Sequence, residues 1–440
     1  NNILRKRGEI FICIILLAEL IANGSMSVRD RALIEQKAKE SMNYFDASQN
    51  LIQYLEENDT EFYRINKKYA QTELNDSMIQ HYRGEKFYSS ILTQSYWKMQ
   101  ELFDLRIKFS NYFYGFDDKQ FLRDINCGKY MFTSRDREYY GYEKVYEYNG
   151  RYLYKNLNVL GSGFLYDNFI SESDYSNISS LQKQDIPYSA VIIGDEDIDK
   201  VSNKIDTKQE YTSTKLLPVD CKMLADQGGI TISLGNNNKK ALVLEIMGNK
   251  DEIVEGNLYT SVKGDDFNTD EFIPVAIDST APKYYNIIDL NVEQIRLAIV
   301  PDSVSNICIY EKDSTQIEDK IKEKANNGMN IVRWSDEYMK GNIELNKASI
   351  LYIPIVYDAK WKAYINGVQS DIIRANGGFC SIVLPAGNNN IELVYQNTGF
   401  MIGAIISIIT AVIIIVLFYW QRRKIYRIWE KTNYEKSSLN

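Results

Sequence analysis

The run "FMIGAIISIITAVIIIVLFYW" at residues 400–420 holds twenty-one residues without a charge, and it restricts the chain more than any other stretch. As a helix it would be ~31 Å long, which matches the hydrocarbon core of a bilayer. A run that is apolar on every side has no use for a solvent-facing stripe, so it reads as a transmembrane helix. Tyr419 and Trp420 stand where an interfacial aromatic belt is expected, and Arg422, Arg423, Lys424 and Arg427 follow at once. The positive-inside rule then places the basic tail, residues 421–440, in the cytoplasm and the bulk of the chain outside.

The opening stretch "NNILRKRGEIFICIILLAELIANGSMS" supports two readings. Its apolar part, residues 10–22, is short and interrupted by Glu19. With Arg5, Lys6 and Arg7 before it and a small-residue pattern at Ala22 and Gly24 that suits cleavage, the stretch has the layout of a signal peptide. As a true span it covers residues 8–27, with Glu19 turned towards other helices, and it closes a bundle that precedes this chain. The first residue is Asn rather than Met, which favours the second reading. Both put residues 28–397 outside the cytoplasm, and Arg29 and Arg31 are a mild exception to the charge rule.

Charge and cysteine usage narrow the class further. The formal charge is −8 and no basic stripe lies outside the membrane flanks, so nucleic acid is not the expected partner. Cys13, Cys127, Cys221, Cys308 and Cys380 are widely spaced, with no CxxC pair, and are expected as free and mostly buried thiols. The 33 tyrosines suit half-buried sheet faces and also stacking on sugars.

Within the outer region, Ile34, Ala38, Met42, Phe45, Ile52 and Leu55 recur at helical spacing, with Asp46 and Gln49 placed as a capping box. A strand at "EFYRINKKY", helical spacing over 86–111 and aromatic strands at "KYMFTS", "EKVYEYNG" and "RYLYKN" predict an α+β domain over 28–194. Residues 195–222 read as a polar linker or loop. From 223 to 397 strands dominate, from "GGITISLG" to "NIELVYQ", with one helix near 316–327. This part is expected to be a β-sandwich or jelly roll, and in it "WKAYINGVQ" is a hairpin turning at Asn366-Gly367. The expected architecture is thus a membrane-anchored α+β fold flanked by transmembrane helices.

Few residues suggest chemistry. Asp195, Asp197 and Asp199 alternate in "GDEDIDK" as weak metal candidates, but Lys200 and Asp206 occupy the positions where an EF-hand needs Gly and Glu. Asp195-Glu196-Asp197 resembles the metal-binding triplet of nucleotide-sugar transferases, but no Gly-rich strand–helix unit surrounds it. "GDDFNTDE" gathers Asp265, Asp266, Asp270 and Glu271, which reads as a solvated loop unless two carboxylates face across a cleft. His81 is the single histidine, and "LGSGF" at 160–164 is too poor in glycine to cradle phosphate.

Two stretches, "YIPIVYDAKWKAYINGVQ" and "NGGFCSIVLPAGNNNIELVYQNTGFMIGAIIS", closely resemble the C-terminal end of the YfhO family of bacterial multi-spanning membrane proteins. The matching positions are Tyr357, Asp358, Trp361, Gly367, Gly378, Phe379, Leu384, Pro385, Gly387, Tyr395, Gly399 and Gly403. Upstream, "EFYRI", "NDSM", "FYSSI", "GKYMFT" and "YLYKNLNVLGSGFLYDNFI" follow in the family's order, and Cys127 replaces the usual apolar residue. The resemblance covers about residues 9–425. It implies a longer protein with a preceding bundle of spans, similar to glycosyltransferases that use a polyprenyl-phosphate sugar donor. It further implies glycosylation of a cell-wall polymer of lipoteichoic acid type on the outer face. In such enzymes the catalytic acid lies in an early outer loop outside this chain, so the matching residues are expected to serve turns, packing or acceptor contact. The expected partners are the membrane, a wall polymer or glycan and the rest of the bundle. The alternatives are a non-catalytic wall-binding or scaffold protein and a receptor secreted after cleavage at Gly24.

Overall fold

The computed structural model describes residues 2–29, 46–69, 75–105, 111–205, 211, 213–235, 239–265, 267 and 271–437. Ile34, Ala38, Met42 and Phe45 of the expected first helix lie outside these residues. The fold is mixed α+β.

The first unit forms around helix Ser48–Asn58, whose Leu51, Ile52 and Leu55 recur on one face and are buried. The Asp46 carboxylate accepts the Ser48 amide at 3.0 Å and satisfies one of the free donors of the first turn. That apolar face rests on a four-stranded sheet ordered Arg64–Lys67, Gly128–Thr133, Arg151–Asn156 and Tyr142–Tyr148, with only the first pair parallel. Ile65, Phe132 and Leu153 complete the core.

In the second unit, two antiparallel sheets share one apolar core. One orders Lys215–Pro218, Val304–Asp313, Leu242–Gly248 and Lys283–Ile287; the other orders Cys221–Asp226, Gly229–Leu234, Val292–Ala298, Val254–Val262 and Ile273–Ile277. Alternation explains the arrangement: Leu242, Leu244 and Ile246 enter this core, while Val243 and Glu245 between them point to the other face, where Val243 is buried too.

The third unit overturns the domain boundary expected at residue 194. Strands Phe164–Tyr166, Ser349–Val356, Phe379–Leu384, Ile373–Ala375, Val191–Ile193 and Phe169–Ser171 form one sheet in that order, so chain from both sides of the boundary shares its hydrogen bonds. The segment 195–222 is not a plain linker either. It holds a 3-10 turn Asp195–Asp197, helix Ile198–Ser202, strand Lys215–Pro218 and the start of strand Cys221–Asp226. Three-residue strands bury their backbones on partners nearly two hundred residues away, which no local pattern reports.

This central sheet is covered on both faces. Ile350, Tyr352, Phe379 and Val383 join a core with helices Gln94–Leu102, Gln120–Ile125, Ile186–Ser189 and Thr315–Asn326. Leu351, Ile353, Cys380, Ile382 and Leu384 point the other way. There they meet a five-stranded sheet ordered Asn330–Ser335, Tyr338–Leu345, Gly387–Tyr395, Trp361–Ile365 and Val368–Ser370. The helix expected over 86–111 is shorter, since Phe87–Tyr88 pairs as a strand and 106–110 lie outside the described residues.

Helices Asn2–Arg29 and Thr398–Ser437 flank these units. Among the described residues, Thr398–Trp429 is long and apolar enough to cross a membrane, and Phe11–Ser27 is a shorter apolar helix. The second helix does not stop at the basic residues but continues through them. All five cysteines are free, with Cys127 and Cys380 buried.

Candidate functional site

The matching motif positions fall at two ends of the third unit. Strand Gly387–Tyr395 runs towards the span, and its last residue, Tyr395, pairs with Trp361 at the start of the neighbouring strand. Their rings meet edge-on at 5.2 Å. Asp358 closes the loop before Trp361: Oδ1 accepts the Lys360 amide at 2.9 Å, Oδ2 accepts the Tyr395 hydroxyl at 3.3 Å, and its carbonyl accepts the Trp361 amide at 3.0 Å. A short side-chain acceptor is what such a turn needs. The Gln396 amide donates to the Lys360 carbonyl at 2.9 Å, and the Asn397 side chain accepts the Phe400 amide at 3.2 Å as the long helix begins. Gly399 lies in that first turn.

The same end collects Tyr357, Gly378 and Phe379. Tyr357 donates its amide to the Gly378 carbonyl at 2.9 Å and accepts Ser95 Oγ at 2.7 Å. Phe379 is buried beside Tyr352. A Cβ at Gly378 would stand 2.6 Å from the Ser95 carbonyl oxygen, so the absence of a side chain lets helix Gln94–Leu102 dock. Gly378→Ala is therefore expected to cost ~2 kcal/mol through overpacking. Thermal unfolding of the purified chain checks this against Gly403→Ala, where a Cβ meets nothing within 4 Å.

Gly367, Pro385 and Gly387 sit at the opposite end. Asn366 and Gly367 have φ of 50° and 82°, the positive values of the expected two-residue hairpin turn, and Ile365 pairs with Val368. Asn389 Nδ2 donates to the carbonyls of Pro385 and Gly387 at 3.0 and 2.9 Å, closing the Leu-Pro-x-Gly turn.

The aspartate triplet does not form a cation site. Asp195 accepts the Ser173 amide and hydroxyl at 3.2 and 3.0 Å, and Asp197 pairs with Lys200 at 2.7 Å. The segment is a 3-10 turn leading into a helix, so alternate side chains, Asp199 included, diverge. Among the described residues no group of acidic, Cys or His side chains is placed to hold a metal. The member of this stretch with a tertiary role is Glu196, which pairs with the buried Arg374 in a short contact; Glu172 lies 3.8 Å from the same guanidinium. Burial raises the Glu172 carboxyl above its ordinary value, against the pull of Arg374. Nothing in the sequence around Arg374 announces this pairing.

"GDDFNTDE" is likewise structural where it is described; Asp266 and Asp270 lie outside the described residues. Glu271 accepts Thr133 Oγ1, the Ser134 amide and Ser134 Oγ at 2.6–2.7 Å. Arg137 joins Asp265 in a short contact and Asp289 at 3.1 Å. These acids clamp the first unit to the second. His81 is exposed at a helix C-terminus with φ of 60°.

A cleft of about 510 Å³ opens between the helices and the second unit, bordered by Asp104, Lys119, Tyr175, Lys183, Tyr284 and Tyr285. Lys119 lies 3.2 Å from Asp118. Such a wall offers hydrogen-bond donors, acceptors and ring faces together.

Residues 3–407 match the family described as "Bacterial membrane protein YfhO". The chain belongs to the YfhO family. The uncharacterized protein YfhO of Bacillus subtilis (strain 168) is 24% identical over 377 residues, covering 80% of this chain. The chain spans 42% of that relative's length. Solved structures of the mycobacterial arabinofuranosyltransferase AftD overlap it less. The R1389S mutant in its class 2 form is 17% identical over 38% of this chain and 13% of its own, with a TM-score of 0.15. A further AftD structure is 8% identical over 41% and 21%, with a TM-score of 0.16. Membership makes this YfhO-family chain a membrane protein, in accord with helix Thr398–Trp429.

Proposed function

We propose that this chain is the extracytoplasmic region and final anchor of a bacterial membrane glycosyltransferase-like protein that modifies a cell-wall polymer. The observation that carries the reading is the family match together with a sheet that continues into the membrane helix within three residues of Tyr395. The motif residues at that junction hold turns and packing, which suits a region that braces an active centre located elsewhere in a longer protein. In this reading residues 28–397 lie outside, the basic tail is cytoplasmic, and the two-sheet units serve as β-sandwiches. A polyprenyl-phosphate sugar is the donor for the whole protein, a lipoteichoic acid type polymer is the acceptor, and the β-units position that acceptor.

The test replaces residues 46–397 of the whole protein with a short linker in its host, with membrane levels matched. Loss of sugar on the wall polymer is expected. Undiminished transfer refutes the acceptor role, and a wall-binding scaffold predicts unchanged glycosylation both with and without the whole protein.

A further inference from the structure

The end of the third unit beside the span carries an aromatic and cationic surface. The rings of Phe62 and Trp334 meet edge-on at 5.5 Å, and the Arg83 guanidinium lies 5.5 and 4.5 Å from their centroids. Arg83 is hydrogen-bonded at 3.2 Å to Asp336, whose side chain is 85% exposed, so the pair carries no net charge. The next residue, Glu337, accepts the Tyr395 amide at 2.9 Å. The trio therefore stands within a few residues of the start of the long helix. Lys360 lies on the other side of Tyr395, its ammonium 5.7 Å from that ring. Helix Gln94–Leu102 docks here through Ser95, and the loop before it presents Ile91 at 84% exposure.

The tether limits how far this surface can stand from the lipid. The helix ladder already starts at Asn397, whose carbonyl accepts the Met401 amide at 3.1 Å, and the two residues from Tyr395 to it reach at most ~7 Å even when fully extended. Each headgroup layer is itself ~5–8 Å deep, so where the helix enters the bilayer at its start, groups level with Tyr395 stand at the height of that layer. Trp and Tyr with neighbouring Arg and Lys are the side chains that settle in that layer, rings towards the acyl boundary and cations towards phosphate. The geometry points to this face, built from Phe62, Arg83, Trp334, Lys360 and Tyr395 with Ile91 at its edge, resting in the headgroup zone of a phospholipid membrane. The occupant of the face is lipid, and the units are held at a fixed height and tilt instead of swinging on the helix. The inference goes beyond the proposed glycosyl transfer and stands without it.

The experiment uses the full chain in nanodiscs of phosphatidylglycerol and phosphatidylcholine, with Cys13, Cys221 and Cys308 changed to Ser. A nitroxide is placed at Ile91→Cys and, separately, at Leu224→Cys, a residue 71% exposed on the second unit. The Ile91 label is expected to collide more with oxygen and less with an aqueous nickel chelate than the Leu224 label. Equal nickel access overturns the proposal, since the face is then in water. Shielding from both reagents overturns it as well, since protein then covers the face. In the same discs, lipids brominated near the headgroup are expected to quench tryptophan emission less in Trp334→Phe than in the parent chain. Unchanged quenching also overturns the proposal.

Discussion

Tyr352→Ala is expected to destabilise the extramembrane region by ~4 kcal/mol, a cost typical of removing a buried aromatic ring. Tyr352 is fully buried in the middle of the central sheet, on the face turned to the helices. Its ring lies 5.2 Å from Phe164 and 6.0 Å from both Tyr166 and Phe379, so one deletion opens a hole bounded by three strands. Its hydroxyl donates to Asn126 Oδ1 at 2.6 Å, and Asn126 is itself fully buried. Tyr352→Phe keeps the ring and leaves that acceptor unpaired, for which ~1–3 kcal/mol is expected. Guanidinium unfolding of the full chain in detergent, followed by tryptophan emission, measures both. Equal costs for the two variants would show that the hydrogen bond, and not ring packing, holds the sheet to its helices.

Lys67→Met is expected to cost ~3–5 kcal/mol, because it strips the cation from a buried cluster and leaves two carboxylates behind. Lys67 is 3% exposed, with its ammonium 2.8 Å from Asp76, 3.1 Å from Asp46 and 4.7 Å from the Tyr69 ring centroid. Tyr82 donates to the other Asp76 oxygen at 2.9 Å. Combining Lys67→Met with Asp76→Asn removes one of the stranded charges and is expected to restore part of the loss, which a simple packing defect would not allow.

The cluster also sets an acid limit. Burial pushes the Asp46 carboxyl up, but the Lys67 charge and the bonds from Ser48 and Lys67 outweigh it and hold the group below its ordinary value. A folded-state pKa below the unfolded one contributes stability above the unfolded value, ~3.9, and that contribution disappears as pH falls through the folded value. Lys67→Met removes the cation and leaves only the Ser48 bonds against burial, so the Asp46 carboxyl rises from its lowered value. Unfolding midpoints measured from neutral pH down to the acid range should fall for the parent chain, and the variant should lose less over the same range because its Asp46 is held down less.

How far the fold was legible depended on the range of the interactions. Strands such as Leu242–Gly248 and Trp361–Ile365 were visible because a half-buried strand must alternate, and the Asn366-Gly367 turn was visible because few residues accept positive φ. Helix Thr315–Asn326 showed through its helical spacing, with Ile317 and Ile321 buried. Strands Val191–Ile193 and Phe169–Ser171 were hidden because three residues carry no period. The candidate site followed the same division. The motif positions were readable as a resemblance, but that Asp358, Trp361 and Tyr395 converge on the start of the span, whereas Gly367, Pro385 and Gly387 close turns at the far end, required the strand register.

From its residues alone the chain specified a helix able to cross a bilayer, the two-residue hairpin turn, the strand-rich half and membership of a family with a recognisable order of motifs. Each of these depends on neighbours within one turn or one strand, where backbone sterics and the length of an apolar run act directly. Tertiary structure alone decided that residues 164–193 and 349–384 share a sheet, that Glu196 rather than its aspartate neighbours meets Arg374, and that Arg83 and Trp334 gather near the start of helix Thr398–Ser437. Those outcomes depend on groups far apart in the chain, and their free energy is gained only when distant segments are buried against one another.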